Sequence, residues 1–197
     1  MGDNHECDHQ PVIDLLTQLE ESEQYAALAK SAVQTYNDLE RRGDLPSLRA
    51  ASQIRSMAMK AFAVMGQPEE TLMLFEDTRD TYGSHSDKEI LFWVHSTAIA
   101  CADTYWEAGR RAEAYAILES CVERFTTDSH PGLRTLALRA AIDLSICKHE
   151  EGDAEGALKE LNRALATALS DTSLSVQEEF CRAAQERYRC LCIAEDS

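Results

Sequence analysis

The sequence predicts an all-α protein in which antiparallel helix hairpins repeat, stack on one another and end with a C-terminal capping helix. Two observations support this fold class. A short phrase that begins with Gly recurs at residues 66, 109 and 152, a spacing of 43 residues both times. Apolar residues follow each phrase at helical spacing. A fixed period of this length is typical of stacked repeats, because a single hairpin buries its apolar face only against its neighbours.

Start and stop residues divide the chain into helices. Pro11 opens the first helical pattern, and the basic turn before Gly43 closes the second. Pro68 stands where a new helix begins after Gly66, and Asp87 is a candidate cap for the helix that follows. Each repeat is expected to hold two helices of about 18 residues, joined by a Gly turn.

We expect residues 1–10 to form a flexible tail and residues 11–197 to form a single domain. The repeats are predicted at about 11–44, 45–86, 87–130 and 131–172, with the capping helix at 173–193. The first repeat is a degenerate copy, and its phrase starts at Ser22, displaced by 44 residues from Gly66. A generic Ala-rich bundle with an accidental period is the alternative.

Composition limits the class of partner. The 19 Lys and Arg residues stand against 35 Asp and Glu, which gives this acidic protein a formal net charge of −16. Phosphates would be repelled, so we expect no binding to nucleic acid or to an anionic membrane surface. Solubility is the simpler explanation of the negative charge, and binding of a basic partner is the more specific one.

The cysteines indicate a reducing compartment. The seven cysteines are odd in number, and their spacing makes no disulfide framework. Four of them lie singly in apolar helical patterns, where we expect small buried hydrophobes: Cys101, Cys121, Cys147 and Cys181. Neither a signal peptide nor a membrane span is predicted, so the expected location is the cytoplasm.

The recurring phrase resembles the tetratricopeptide repeat (TPR). That family places a small residue early in its second helix, a large one four positions on and a small one three further. Here those positions hold Thr71, Phe75 and Thr78, then Ala114, Leu118 and Cys121, then Ala157, Leu161 and Ala164. The resemblance covers roughly residues 48–169 and implies a right-handed superhelix.

The chain also departs from the TPR pattern. Its period exceeds the family's usual length of about 34 residues. The Trp and Gly positions of the family's first helix are occupied by other residues: Arg55 and Met59, Ala98 and Ala102, and Ala141 and Ser145.

The resemblance implies a scaffold that binds a peptide or helix of another protein on a concave face lined by the first helices of the repeats. The positions turned toward that face are Gln53, Ser56, Lys60, Ser96, Ile99, Asp103, Trp106, Arg139, Ile142, Ile146 and His149. Lys60 and Arg139 alone do not make the carboxylate clamp of chaperone-binding relatives, so we expect no binding to chaperone tails. A regulatory protein that responds to a small molecule or peptide is the alternative, and an exposed apolar end would favour a homodimer.

Trp106 is the leading candidate for a contact residue. It follows Tyr105 directly, and at about 100° per residue the two side chains point in different directions. Tyr105 is then expected in the core and Trp106 at a partly exposed position, where it would anchor a partner. Packing against a neighbouring helix is the alternative.

Metal binding and catalysis have weak support. His5, Cys7 and His9 would project together from an extended chain and share one ion, but they form a single short run at a terminus. No nucleophile triad, phosphate loop or dinucleotide turn occurs in the sequence. We therefore expect no cofactor and no enzyme.

Overall fold

The computed structural model describes residues 9–169, 171, 173 and 176–185, and within these residues every regular element is a helix. A ninth helical segment, α9, covers residues 176–185. The all-α prediction is confirmed. The eight helices before α9 are α1 (Gln10–Glu21), α2 (Tyr25–Arg42), α3 (Leu45–Val64), α4 (Pro68–Tyr82), α5 (Lys88–Glu107), α6 (Arg111–Phe125), α7 (Pro131–Glu150) and α8 (Ala154–Ala168).

The helices repeat with the period that the sequence predicts. We call the first helix of each repeat its A helix and the second its B helix. The A helices α3, α5 and α7 are 20 residues each, and the B helices α4, α6 and α8 are 15 each. Each set begins at intervals of 43 residues. The predicted total helical length of each repeat agrees with the structure, but its division into two equal helices was wrong, because the A helix is longer than the B helix.

The turn from A helix to B helix is the most regular part of the repeat. Gly66, Gly109 and Gly152 have φ angles of 68°, 74° and 86°. The N–H of the following residue donates to the carbonyl five positions earlier at 3.0, 2.9 and 2.9 Å, which satisfies a free helix-end carbonyl. Glycine adopts this left-handed conformation without the clash of a Cβ atom, so the recurring phrase begins with Gly.

The first repeat has the same turn without the glycine. Glu23 adopts a φ of 57°, and the N–H of Gln24 donates to the carbonyl of Leu19 at 2.9 Å. Glu23 lies 43 residues before Gly66, so the predicted displacement of 44 residues is corrected to 43. Because Glu23 adopts the left-handed conformation here, the first repeat lacks the Gly that marks this turn in the other repeats.

The loop from B helix to the next A helix repeats as well. The N–H of Asp87 donates to Nδ1 of His85 at 3.0 Å, and the N–H of His130 donates to Asp128 at 2.8 Å. In the third such loop, the N–H of Ser173 donates to Asp171 at 2.9 Å. The acceptors His85, Asp128 and Asp171 follow one another at intervals of 43 residues. The imidazole of His85 therefore has the position that a carboxylate has in the other two loops.

The nine B-helix positions that carry the TPR resemblance, from Thr71 to Ala164, are all buried. Phe75, Leu118 and Leu161 are at most 1% exposed. Small neighbours let an adjacent helix come close, and the large side chains fill the space between. Truncating one of the large residues to Ala would cost about 2–5 kcal/mol.

The chain divides into two compact units, which we call unit 1 (Met1–Thr104) and unit 2 (Tyr105–Ser197). In unit 1, α3 packs against α1, α2 and α4. In unit 2, α7 packs against α6 and α8. An A helix is thus the centre of each unit. The single domain over residues 11–197 and its repeat limits stay predictions.

The capping helix predicted at 173–193 falls partly among the described residues. Helix α9 buries Val176 and Ala183. Arg182 of α9 donates to Asp143 of α7 at 3.1 Å. Residues 174, 175 and 186–193 of the predicted helix, and most of the tail at 1–10, lie outside the described residues.

The cysteines fit the prediction only in part. Cys101 and Cys121 are buried, and burial raises the pKa of both thiols to about 12. Cys147 is half-buried and Cys181 is exposed, so the expectation of four buried hydrophobes was wrong for these two. In both helices the apolar pattern of the sequence extends to positions that are accessible to solvent, and these two cysteines occupy such positions. Among the described helices, none is both long enough and apolar enough to cross a membrane.

Candidate functional site

In unit 1 the predicted contact residues lie along the outer sides of α3 and α5. Gln53, Ser56 and Ser96 are half-buried, and Lys60 and Asp103 are exposed. Lys60 donates to Glu20 of α1, so its charge already has a counterion within the unit. This part of the face is polar and partly neutralised.

Ile99 and Ile142 occupy the same position in successive A helices, 43 residues apart. They are 2% and 1% exposed, so both belong to the interior. Each follows a buried alanine, Ala98 or Ala141, and the inward-facing side of the helix is wide enough to include both neighbours. Their assignment to an exposed face is corrected, since neither side chain is accessible to a partner.

In unit 2 a group of aromatic and charged side chains surrounds Trp106, and we call it the Trp106 cluster: Trp106, Arg111, Tyr115, Glu150 and Glu151. The ring of Trp106 meets that of Tyr115 edge to face, with centroids 5.8 Å apart. The guanidinium of Arg111 lies 4.9 Å from the Trp106 ring centroid. Such contacts hold the indole in one orientation.

Polar contacts connect this cluster to the end of α7. Trp106 Nε1 donates to Glu150 at 3.0 Å, and the Tyr115 hydroxyl donates to Glu151 at 2.8 Å. Arg111 pairs with Glu151 at 3.0 Å. Burial and then the bond to Glu151 raise the pKa of Tyr115. Trp106 therefore combines both sequence interpretations, because it packs against neighbours and stays partly exposed.

The remaining predicted residues of unit 2 lie on α7. Arg139 is exposed, and Ile146 and His149 are half-buried. Ile146 precedes Glu150 by one helical turn, so the hydrogen bond from Trp106 to Glu150 brings the indole beside the same part of α7. Nδ1 of His149 is buried and has no hydrogen-bond partner among the described residues. On the basis of this helical spacing we group Trp106, Ile146 and His149 under one name, the α7 patch.

Sequence reasoning missed a buried arginine in unit 1. Arg55 of α3 is 4% exposed. It donates to Glu40 at 2.6 and 3.1 Å, and also to Asp77 and to Thr78. Burial lowers the pKa of Arg55, but hydrogen bonds to Glu40 and Asp77 outweigh it and hold the pKa above its usual value.

Two tyrosines complete this arrangement, which we call the Arg55 network. The guanidinium lies 4.5 Å from the ring centroid of Tyr36 and 5.7 Å from that of Tyr82. The hydroxyl of Tyr82 donates to Glu40 at 2.7 Å. Burial and then the bond to Glu40 raise the pKa of Tyr82, so it remains a donor. The signal in the sequence was an Arg at the inward position where TPR proteins have Trp.

All charged side chains of α3 are basic, and each meets a carboxylate from another part of unit 1. The helix therefore offers little uncompensated positive charge. This pairing is consistent with the expectation that the chain does not bind chaperone tails, which stays a prediction. The partners are Asp87 for Arg49, Glu40 and Asp77 for Arg55, and Glu20 for Lys60.

The candidate metal ligands are only partly within the structure. His5 and Cys7 lie outside the described residues. His9 directly precedes α1 as its N-cap residue, and its Nε2 is 3.2 Å from the hydroxyl of Ser47. No group of His, Cys, Asp and Glu among the described residues is arranged to hold a metal ion. Metal binding by the N-terminal run stays a prediction.

The helices and their repeat geometry define a TPR-like helical repeat fold. Two crystal structures described as "Podosopora anserina putative kinesin light chain nearly identical TPR-like repeats" are similar to it, each at 17% sequence identity. One has a TM-score of 0.63, over 99% of this chain and 95% of that one. The other has a TM-score of 0.57, over 98% and 94%. No family model and no curated protein sequence matches the chain. At this identity the likeness is one of fold.

Proposed function

We propose that this chain is a protein-interaction scaffold that binds a peptide or helix of a partner protein, and that the α7 patch with Arg139 is its principal contact surface. The observation that carries the proposal is the environment of the Trp106 side chain. Its indole is held in place by Tyr115 and Arg111 yet stays partly exposed. It donates a hydrogen bond to Glu150, one helical turn from Ile146. Rigid, partly exposed aromatic residues are common anchors in protein interfaces.

Gln53, Ser56, Lys60, Ser96 and Asp103 are proposed as further contacts in unit 1. The net charge of −16 favours a basic partner segment, which would be attracted over a distance and bind faster at low salt. We propose no catalytic role. The cytoplasmic location, and the homodimer as an alternative assembly, stay predictions.

The test compares two double variants of the full chain. Trp106→Ala with Ile146→Ala removes the apolar part of the patch. Glu119→Ala with Lys159→Ala changes two exposed residues of α6 and α8 and serves as the control. Partners recovered from extract by crosslinking and mass spectrometry should be lost with the first variant and kept with the second.

Circular dichroism should show that both variants remain helical, so that loss of binding is not loss of folding. Equal recovery with both variants would exclude the α7 patch as the contact surface. The Trp106→Phe variant sharpens the test, since it keeps an aromatic ring, smaller than the indole, and removes the donor to Glu150.

The second candidate function is a sensor of a small ligand. The observation that favours it is a cavity in unit 2, among α6, α7, α8 and the start of α9, with both apolar and charged lining residues.

A further inference from the structure

Helix α1, the A helix of the first repeat, exposes a position that the other A helices bury. Leu15 is equivalent to Ala58, Cys101 and Leu144, which follow it at intervals of 43 residues. Those three residues are at most 1% exposed, whereas Leu15 is 53% exposed. A large apolar side chain of α1 therefore lies open at a position that belongs to the interior in every later repeat.

Two further positions extend this exposed face along α1. Pro11 and Gln18 are exposed, whereas their equivalents in α3, Ile54 and Ala61, are fully buried. Pro11, Leu15 and Gln18 are four and three residues apart, so they lie along one side of the helix. We call these three residues the α1 stripe.

The exposure of the α1 stripe follows from the neighbours of each helix. Helix α3 packs against α1, α2 and α4, and α1 packs against α2 and α3. Each of the two A helices thus contacts the B helix of its own repeat. What α3 has in addition is α2, the B helix of the repeat before it. No element among the described residues takes this place on α1, so the α1 stripe is an unpartnered helix face.

The way in which α2 covers α3 indicates what would cover α1. Tyr36 and Glu40 of α2, one helical turn apart, both contact Arg55 of α3. The equivalent residues of unit 2, which come 86 residues later, line one cavity together: Val122, Thr126 and Ala141. The residue of α1 equivalent to Arg55 is Val12, which is half-buried. A helix in the place of a preceding B helix would therefore cover Val12 and, one turn later, Leu15.

The charges beside the α1 stripe are negative. Residues 1–29 contain seven Asp and Glu residues and no Lys or Arg. Asp14 and Glu21 are exposed, and they lie one turn before and one turn after Gln18. Among the described residues, no Lys or Arg pairs with either carboxylate. The last turn of α1 has no basic residue either, so a cation there would also be stabilised by the negative end of the helix dipole.

We propose that the α1 stripe binds an amphipathic helix of a partner protein that carries two Lys or Arg residues seven positions apart beside an apolar face. The apolar face covers Val12 and Leu15. The basic residues pair with Asp14 and Glu21, which are seven residues apart. The partner helix lies antiparallel to α1, as α2 lies to α3 across their two-residue connection.

Two other occupants fit this face less well. The same face of a second copy would bring like charges together. Residues 1–8 of this chain hold three acids and only two apolar side chains, those of Met1 and Cys7. The α1 stripe belongs to unit 1, so this inference does not depend on the α7 patch.

The probe is a fluorescent peptide with the α2 sequence, Tyr25–Arg42, in which Ala27→Lys and Gln34→Lys place two basic residues seven positions apart. Both positions are exposed in α2, so the face that covers α3 is unchanged. The control peptide carries Ala27→Glu and Gln34→Glu instead. At pH 7 and low salt the full chain should bind the Lys peptide with a dissociation constant of about 100 μM, measured by fluorescence anisotropy. The Glu peptide should bind at least about tenfold more weakly.

Variants of the full chain separate the apolar and the charged parts of the surface. Leu15→Gln should weaken binding of the Lys peptide by at least about tenfold, because an apolar contact is lost. Met73→Gln, at an equally exposed apolar residue of α4, is the control and should leave the affinity unchanged. Asp14→Lys with Glu21→Lys should reverse the preference, so that the Glu peptide binds more tightly. Circular dichroism checks folding, and Leu15→Ala replaces Leu15→Gln if that variant unfolds.

A benzophenone side chain in place of that of Leu15 reports what lies on the stripe. Photolysis should join it to the Lys peptide. In the absence of the peptide, a main product with residues 1–8 or with a second copy would overturn the proposal. So would equal affinities of the two peptides, or full binding by a folded Leu15→Gln variant. The Trp106→Ala, Ile146→Ala double variant should bind the Lys peptide normally, so failure of the α7 patch and failure of the α1 stripe are distinguishable.

Discussion

The second and fourth repeats share helix lengths and turns, yet they fill the same interior space in different ways. The second repeat places Arg55 there, between two tyrosine rings and two carboxylates. The fourth has Ala141 and Ala168 and a cavity. The period of 43 residues therefore determines the backbone geometry, but it does not determine which side chains fill the interior of each hairpin. Polar contacts fill this space in one copy, and in the other copy the space is partly empty.

Removing Arg55 should have the largest effect. Arg55→Ala leaves the half-buried Glu40 without its counterion, and loss of one partner of a buried pair costs about 3–5 kcal/mol. Urea unfolding followed by circular dichroism measures the change. Arg139→Ala, on an exposed surface, is the matched control and should change stability by less than about 0.5 kcal/mol. Equal effects of the two variants would mean that the Arg55 network is not a major source of stability.

A smaller effect is expected from the hydroxyl of Tyr82. Tyr82→Phe removes a donor to Glu40 and should cost about 1.5 kcal/mol, as for a hydrogen bond to a charged group. Tyr115→Phe removes a donor to the exposed Glu151 in unit 2 and should cost less. A larger loss with Tyr115→Phe, measured by the same unfolding experiment, would reverse the assignment of the polar interior to unit 1.

The smallest effect concerns pH, where the two units should behave alike. The hydrogen bond from Arg49 lowers the pKa of Asp87, and that from Arg134 lowers the pKa of Asp171. Each carboxyl titrates lower when folded than unfolded. The stability from each pair is therefore present above the ordinary value of 3.8 and is lost as pH falls through the folded pKa.

Asp87→Asn and Asp171→Asn should each flatten the decline in stability below about pH 4, by up to about 1 kcal/mol. Thermal unfolding between pH 3 and pH 7 measures this decline. Asp80→Asn, at an exposed carboxylate of α4, is the control and should leave its slope unchanged. A decline as steep in the Asp87 and Asp171 variants as in the parent protein would show that these pairs do not contribute.

The sequence predicted what depends on local backbone chemistry. Gly66, Gly109 and Gly152 are required by a left-handed turn, so period and turns were recoverable. Glu23 takes that conformation without a glycine, and the register of the first repeat was therefore misplaced by one residue.

The Arg55 network was not recoverable from local patterns, because Glu40 and Asp77 are 15 and 22 residues away from Arg55. The environment of Trp106 depends on Glu150, 44 residues later, for the same reason. The half-exposed position of Trp106 followed from its place next to Tyr105. Its hydrogen bond required the packed helices.

The most direct test measures the filled and the empty space side by side, by urea unfolding of Tyr82→Ala and Ala168→Leu. Emptying the space in unit 1 should cost about 3–5 kcal/mol, and filling it in unit 2 should add about 0.5–2 kcal/mol. Opposite signs are the predicted result. If Ala168→Leu were destabilising to a similar degree as Tyr82→Ala, the fourth repeat would have no vacant equivalent of the Arg55 site.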